Sequence, residues 1–159
     1  MIFRMSELIV ACRNNNTELA IKLIENKANL DLQNNNGNTA LLWSCEKNNT
    51  EIALKLIENK ANLDLQNNIG DTALMWSCWN NNIEVFLKLI ENKANLDLQN
   101  SYRRTALMWS CENNNTEKSL KLIENKANLD IQDYDGWTAL MLSCRWNNTE
   151  IISILLETI

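Results

Sequence analysis

The sequence predicts an all-α solenoid of stacked helix pairs, about five in number, and three observations predict it. The five cysteines, Cys12, Cys45, Cys78, Cys111 and Cys144, are each 33 residues apart. Thr39, Thr72, Thr105 and Thr138 keep the same step, with Ser6 in the first slot, and LIENKANLD recurs from residues 23, 56, 89 and 122. Within each unit the apolar residues fall at helical spacing. A fixed period of this size marks a repeat architecture, in which one unit cannot bury its own apolar face and must stack on the next.

Residues 34–66 show the elements in order. Thr39 is a good N-cap, because its hydroxyl can accept from a backbone N–H left free in the first helical turn. ALLWSCEK follows, apolar on most sides, and is expected to be buried between neighbours. Asn48 and Asn49 end this first helix, since Asn tolerates the left-handed conformation of a helix end better than any residue but Gly. The second helix is TEIALKLIENK. Ile52, Ala53, Leu56 and Ile57 share one arc, with Glu51, Lys55 and Glu58 opposite in water. Glu51 and Lys55, four apart, are expected to pair for a stabilisation of about 0.3 kcal/mol. ANLDLQNNNGN then returns as an extended turn to the next threonine. The units run over 1–33, 34–66, 67–99, 100–133 and 134–159, forming a single domain over 1–159.

A 33-residue unit of turn plus two helices, with T-x-L near the first helix start, resembles the ankyrin repeat. The likeness covers nearly the whole chain. It implies a right-handed solenoid whose β-turn or hairpin tips project from one edge and whose first helices line a concave groove. It also implies a protein-binding module without enzymatic activity. Some family features are replaced. Thr39-Ala40-Leu41-Leu42 and its copies stand where the family has T-P-L-H, so the Pro suited to the first helical position is gone, and so is the His. Lys60, Lys93 and Lys126 stand where it has Gly after the second helix, and Ser44-Cys45 where it has an Ala pair. The asparagine bias resembles repeat proteins from AT-rich genomes, such as those of protists and large DNA viruses.

Composition excludes several function classes. The net charge is −5 with no long basic block, against the basic face a nucleic-acid binder shows. No apolar run approaches the roughly 20 residues of a membrane span. The N-terminal MIFRMSELIVACRNNN has too short an apolar core for a signal peptide, so an intracellular, cytoplasmic protein is expected, acting as a monomer. No histidine and no CxxC occur, and with no Gly-rich phosphate loop either, no cofactor, metal or catalytic residue is expected. Stacked helices lie about 8–10 Å apart, beyond the roughly 7 Å that a disulfide allows between Cα atoms, so the cysteines read as isolated buried thiols. Glu18, Glu51, Glu84, Glu117 and Glu150 read as a solvated ladder. The Asn-Asn-Thr triplets read as helix ends.

The repeats supply their own comparison. Aligning 34–66, 67–99 and 100–132 leaves 22 of 33 positions identical in all three. The other 11 cluster: four consecutive turn positions, two at the end of the first helix, three opening the second, and two conservative apolar swaps. The turn carries Ile69 and Asp71 in one copy, Tyr102, Arg103 and Arg104 in the next, and Tyr134, Asp135 and Trp137 in the last. At the first-helix ends, Trp79 and Glu112 flank the tryptophan ladder Trp43, Trp76 and Trp109, with Arg145 and Trp146 in the last unit. In the resemblance these are the edges where partners bind, and Tyr, Trp and Arg are enriched at interface hot spots. An aromatic, partly cationic strip is expected across units three to five, for a protein partner with an apolar, partly negative surface. Two readings stay open. The ladder is either core packing or binding surface, and the turn variation is either drift at exposed positions or a site. A structural spacer, or one arm of an adaptor, is the alternative function. Arg103 replaces a turn glycine and is expected to be strained. Lys118 is expected to snorkel from the edge of the apolar arc, a second contact site being the alternative.

Overall fold

A computed structural model describes residues 6–80 and 82–158; the expectation for the first five residues lies outside this range. Among these residues ten helices pair in chain order: α1 (Glu7–Arg13) with α2 (Thr17–Glu25), α3 (Ala40–Glu46) with α4 (Thr50–Glu58), α5 (Ala73–Trp79) with α6 (Ile83–Glu91), α7 (Ala106–Glu112) with α8 (Thr116–Glu124), and α9 (Ala139–Arg145) with α10 (Thr149–Thr158). First helices stack on first helices and second on second, and no strand occurs among the described residues.

Helices α2 to α9 each start where a side-chain oxygen accepts from the first turn, whereas Ser6 before α1 makes no such bond. Thr39 Oγ1 accepts from Leu42 N at 3.1 Å, and Thr72, Thr105 and Thr138 repeat the cap. The second helices begin on asparagine, as with Asn49 Oδ1 accepting from Ile52 N at 3.0 Å. The expected helix end at Asn48 and Asn49 is therefore also a helix start. Asn48 takes the left-handed conformation at φ 57°, and Asn49 donates its N–H to Ser44 O and caps α4. The second helix is two residues shorter than expected. It stops at Glu58, and Lys60 adopts φ 67° while Lys60 N and Ala61 N close on the carbonyls of Ile57 and Leu56, the bond pattern of a Schellman end. Lys27, Lys93 and Lys126 do the same, at the cost of about 1 kcal/mol each that a side chain meets in that conformation.

The core runs through the stack in columns. Leu8, Leu41, Leu74 and Leu107 are all buried, and so are Cys12, Cys45, Cys78 and Cys111. Burial pushes the Cys45 and Cys78 thiols up to about 12 and Cys12 to about 11. Cys144 departs from the expected ladder: it is exposed, since among the described residues α9 packs only against α7 and α10. Ile52, Ala53, Leu56 and Ile57 are buried on one arc as expected. Lys55, however, pairs with Glu25 of the preceding unit at 3.4 Å, in place of Glu51.

Lys118 overturns its expectation. It is buried completely, not snorkelling, and its Nζ donates to the carbonyl of Ser77 at 2.7 Å and to that of Asn80. In the neighbouring units the matching serine carbonyls, Ser44, Ser110 and Ser143, accept from the backbone N–H of Asn49, Asn115 and Asn148. At the end of α5 the backbone turns out differently, with Asn80 extended at ψ 155°, and Lys118 serves the Ser77 carbonyl. Phe86 lies beneath the ammonium at 5.8 Å. Burial lowers the Lys118 pKa, which Cys78 and Glu117 oppose. Ser119, beside it, is also buried and bonds Ser110 Oγ at 2.8 Å.

The turns form a continuous edge. Within each, the first residue donates its N–H to the carbonyl of the fifth, as Asn67 does to Asp71 and Asn100 to Arg104. Between turns, Asn68 N donates to Asn36 O, Ser101 N to Ile69 O and Tyr134 N to Tyr102 O. Gln33, Gln66 and Gln99 each bridge their own turn to the next unit. Because most of these bonds are made by the main chain and by the invariant glutamines, the side chain at position three of the turn is free to vary, while at position two Asn68 Nδ2 adds a bond to Asn35 O.

Candidate functional site

Several of the variable residues meet around Trp109. On one side is an apolar cavity of about 260 Å³, lined by Asp71, Met75, Trp76, Trp79 and Trp109. On the other is a larger cleft of about 600 Å³, lined by Ser101, Tyr102, Arg104, Trp109, Asp133, Tyr134 and Asp135. The first spans units three and four, the second units four and five. Trp109 is the wall they share.

The tryptophan ladder is both packing and surface. Trp43, Trp76 and Trp109 are half-buried and rest on the core, and their indole N–H groups are buried without a hydrogen-bond partner. Their rings are thus held without a hydrogen bond through the indole N–H. Trp79 is different. It is 53% exposed and meets Trp109 edge to face, with centroids 5.3 Å apart and planes at 88°, an arrangement aromatic quadrupoles favour. Its equivalents are Arg13, Glu46, Glu112 and Arg145, so only at this place in the stack does an indole close the cavity.

Cations sit on most of the indoles. Arg13 and Lys47 lie over Trp43, Arg104 over Trp109, and Arg145 over both Trp137 and Trp146. Among the described residues none lies over Trp76 or Trp79.

The turn charges are engaged within the chain. Arg104 Nη1 binds Glu112 Oε2 at 2.6 Å and Arg104 Nε lies 3.5 Å from Asp133 Oδ2. Arg104 and Glu112, expected as partner contacts, therefore neutralise each other, and the strip is not cationic at this point. Asp71 is buried and accepts from Asn100 Nδ2 at 2.9 Å; burial raises its pKa above the usual 3.8 and the Asn100 bond opposes that rise. Arg103 is the strained residue expected, at φ 58° where Gly37, Gly70 and Gly136 have φ 75° to 82°.

The other candidates divide. Tyr102 and Tyr134 stand out from the edge, 63% and 79% exposed, on the wall of the second cleft. Ile69 is half exposed on the neighbouring turn and lines neither cavity. Trp137 and Trp146 lie outside both, clustered on Arg145. Sequence comparison missed Met75, Ser101 and Asp133 as lining residues. Met75 reads as an ordinary core residue, Ser101 as a small polar turn residue, and Asp133 lies one position past the aligned segments.

Among the described residues no helix is long and apolar enough to cross a membrane, and no group of three or more potential ligands is placed to hold a metal. No curated protein matches the chain in sequence. A family model for ankyrin repeats, three copies long, matches residues 8–100 and again residues 84–159. The two matches together run from residue 8 to 159, and with the capped, stacked helix pairs and the bonded turn edge they lead to one assignment: the chain belongs to the ankyrin-repeat family.

Proposed function

We propose that the chain is a non-enzymatic module that binds a partner protein along the surface centred on Trp109, using the turn tips and the ends of the first helices of units three to five. Ankyrin repeats are in general protein–protein interaction modules. The observation that carries the reading is the coincidence of two things. Residues that vary between near-identical repeats are prominent in the lining of the two adjoining cavities, while the invariant residues make most of the core and the edge hydrogen bonds. Tyr102 and Trp79 are exposed and Trp109 is half-buried. All three are aromatic side chains on a rigid frame, so little conformational entropy is lost on binding. Ile69, Arg103, Tyr134, Trp137 and Trp146 are outer neighbours of this surface.

The test is affinity capture from a native lysate by the parent chain and by a variant carrying Tyr102→Ile with Arg103→Gly, the residues of the preceding turn. The variant keeps Arg104 and so keeps the ion pairs. A partner that the parent retains and the variant loses, by at least about tenfold in affinity, supports the reading. Equal capture by both removes the turn from the site.

A further inference from the structure

We propose that Trp76, Trp79 and Trp109, with Asp71 and Met75, form an aromatic cage for a methylated lysine side chain on a basic segment of the partner. The inference rests on the protein-binding reading above and names what its smaller cavity takes. Three indoles, one thioether and one carboxylate line the space. Its 260 Å³ lies below the roughly 300–1,000 Å³ of sites for whole small molecules, and suits a single side-chain end. Trp79 and Trp109, at 88° to one another, offer two walls at a right angle, as a tetrahedral ammonium surrounded by methyl groups requires.

Charge selects among occupants. Indole faces attract cations, and the chain's own arginines and lysine already sit on Trp43, Trp109, Trp137 and Trp146, leaving Trp76 and Trp79 without one among the described residues. Asp71 adds a carboxylate within the cavity, with one oxygen taken by Asn100 Nδ2. Its counterpart in the preceding turn is the neutral Asn38, which makes the same bond to Asn67, so the fold does not need the charge. An apolar side chain would leave that carboxylate unpaired. An unmethylated ammonium is strongly hydrated and would find a single acceptor for its three N–H donors. Methylation replaces donors with groups that suit the indoles, and a dimethylammonium keeps one N–H for Asp71. The adjoining cleft continues the site past Trp109 toward Asp135, exposed on the next turn. With Arg104 neutralised by Glu112 and Asp133, and a net charge of −5 on the chain, the surroundings favour a basic segment.

The full chain should be titrated with peptides of glycine, serine and lysine. Their central residue would be lysine, dimethyl-lysine, trimethyl-lysine or leucine, with tetramethylammonium chloride as a free cation. The readout is tryptophan fluorescence together with the indole N–H resonances of Trp76, Trp79 and Trp109. The dimethyl-lysine peptide should bind about tenfold tighter than the lysine and leucine peptides, shifting those three resonances. Tetramethylammonium should shift the same resonances more weakly. Asp71→Asn should abolish the preference while leaving the melting curve cooperative, and Trp79→Ala should do the same. Equal or tighter binding of the leucine peptide would overturn the cage and leave a plain apolar anchor, with the protein-binding reading intact. Equal binding of the lysine peptide would remove methylation from the proposal, and an unchanged preference in Asp71→Asn would remove the carboxylate; either result overturns it as stated.

Discussion

Arg104 Nε lies 3.5 Å from Asp133 Oδ2, and this contact is one step of a column that changes its chemistry from turn to turn. The fifth residue of each turn meets the first residue of the next. Asn67 Nδ2 donates to Asn38 Oδ1 at 3.1 Å, Asn100 Nδ2 donates to Asp71 Oδ1 at 2.9 Å, and Arg104 pairs with Asp133. The variation at these positions is matched across the interface. The Arg104→Asp variant would set a new carboxylate against Asp133, which is 3% exposed, and against Glu112. It should destabilise the chain by about 1–3 kcal/mol. Adding Asp133→Asn recreates the Asp71–Asn100 pairing one turn further along and should recover most of that loss, because Asn keeps the oxygen that accepts from Asp135 N and Trp137 N. Chemical denaturation of the single and double variants measures the coupling; additive effects would show that the pair is incidental.

Arg103 should be replaceable with profit. Its carbonyl accepts from Gln99 Nε2 at 2.7 Å, as Gly37 and Gly70 accept from Gln33 and Gln66, so the turn is the same with either residue. Relieving a side chain at φ 58° should make Arg103→Gly more stable by about 0.5–1 kcal/mol. For a chain of this length that is a rise of about 1–4 °C in melting temperature. A fall would mean that the Arg103 side chain makes a stabilising contact larger than the strain.

Lys118→Met tests the buried ammonium. The substitution preserves much of the volume and removes the donor to Ser77 and Asn80, leaving buried carbonyls unpaired at about 1–3 kcal/mol. The loss should appear in the overall melting temperature. It should also appear as faster amide exchange at the end of α5, because among the described residues no other side chain serves the Ser77 carbonyl there. Exchange unchanged at that end would show that the backbone can close on itself as it does after α3.

Asp71 should make stability depend on pH in a direction opposite to most carboxylates. Burial raises its folded pKa above 3.8, so the folded state holds the proton more tightly than the unfolded chain. Its favourable contribution is complete below about 3.8 and is lost as pH rises through the raised folded value. Asp71→Asn should therefore be the more stable protein at neutral pH. The two melting curves should converge as the pH is lowered below about 3.8. A variant less stable than the parent at neutral pH would contradict the sign.

The thiols should divide four to one. Cys12, Cys45, Cys78 and Cys111 are buried and Cys144 is exposed, and three of the buried thiols have pKa values of about 11 to 12 through burial. Iodoacetamide at neutral pH should modify Cys144 rapidly and the others only after unfolding, read by mass spectrometry. The melting temperature should not depend on reductant, and a drop with dithiothreitol would indicate a disulfide that this stack has no place for.

The period of 33 and the threonine before the first helix of units two to five settle the architecture from the sequence alone, because capping and apolar spacing are local and recur from unit to unit. The same comparison separates invariant from variable positions, and so marks where a site can lie. It does not show what the variable side chains touch, since their partners are 8 to 41 residues away: Glu112 and Asp133 for Arg104, Ser77 and Asn80 for Lys118. Lys118 reads as an edge residue on a helical wheel, and only the stack reveals the free carbonyl that holds it. Arg104 reads as an exposed contact, and only the neighbouring turn reveals its counterion. The cavity beside Trp79 is likewise a property of two units at once. Its walls come from residues a whole repeat apart, and their angle depends on how one helix pair seats on the next.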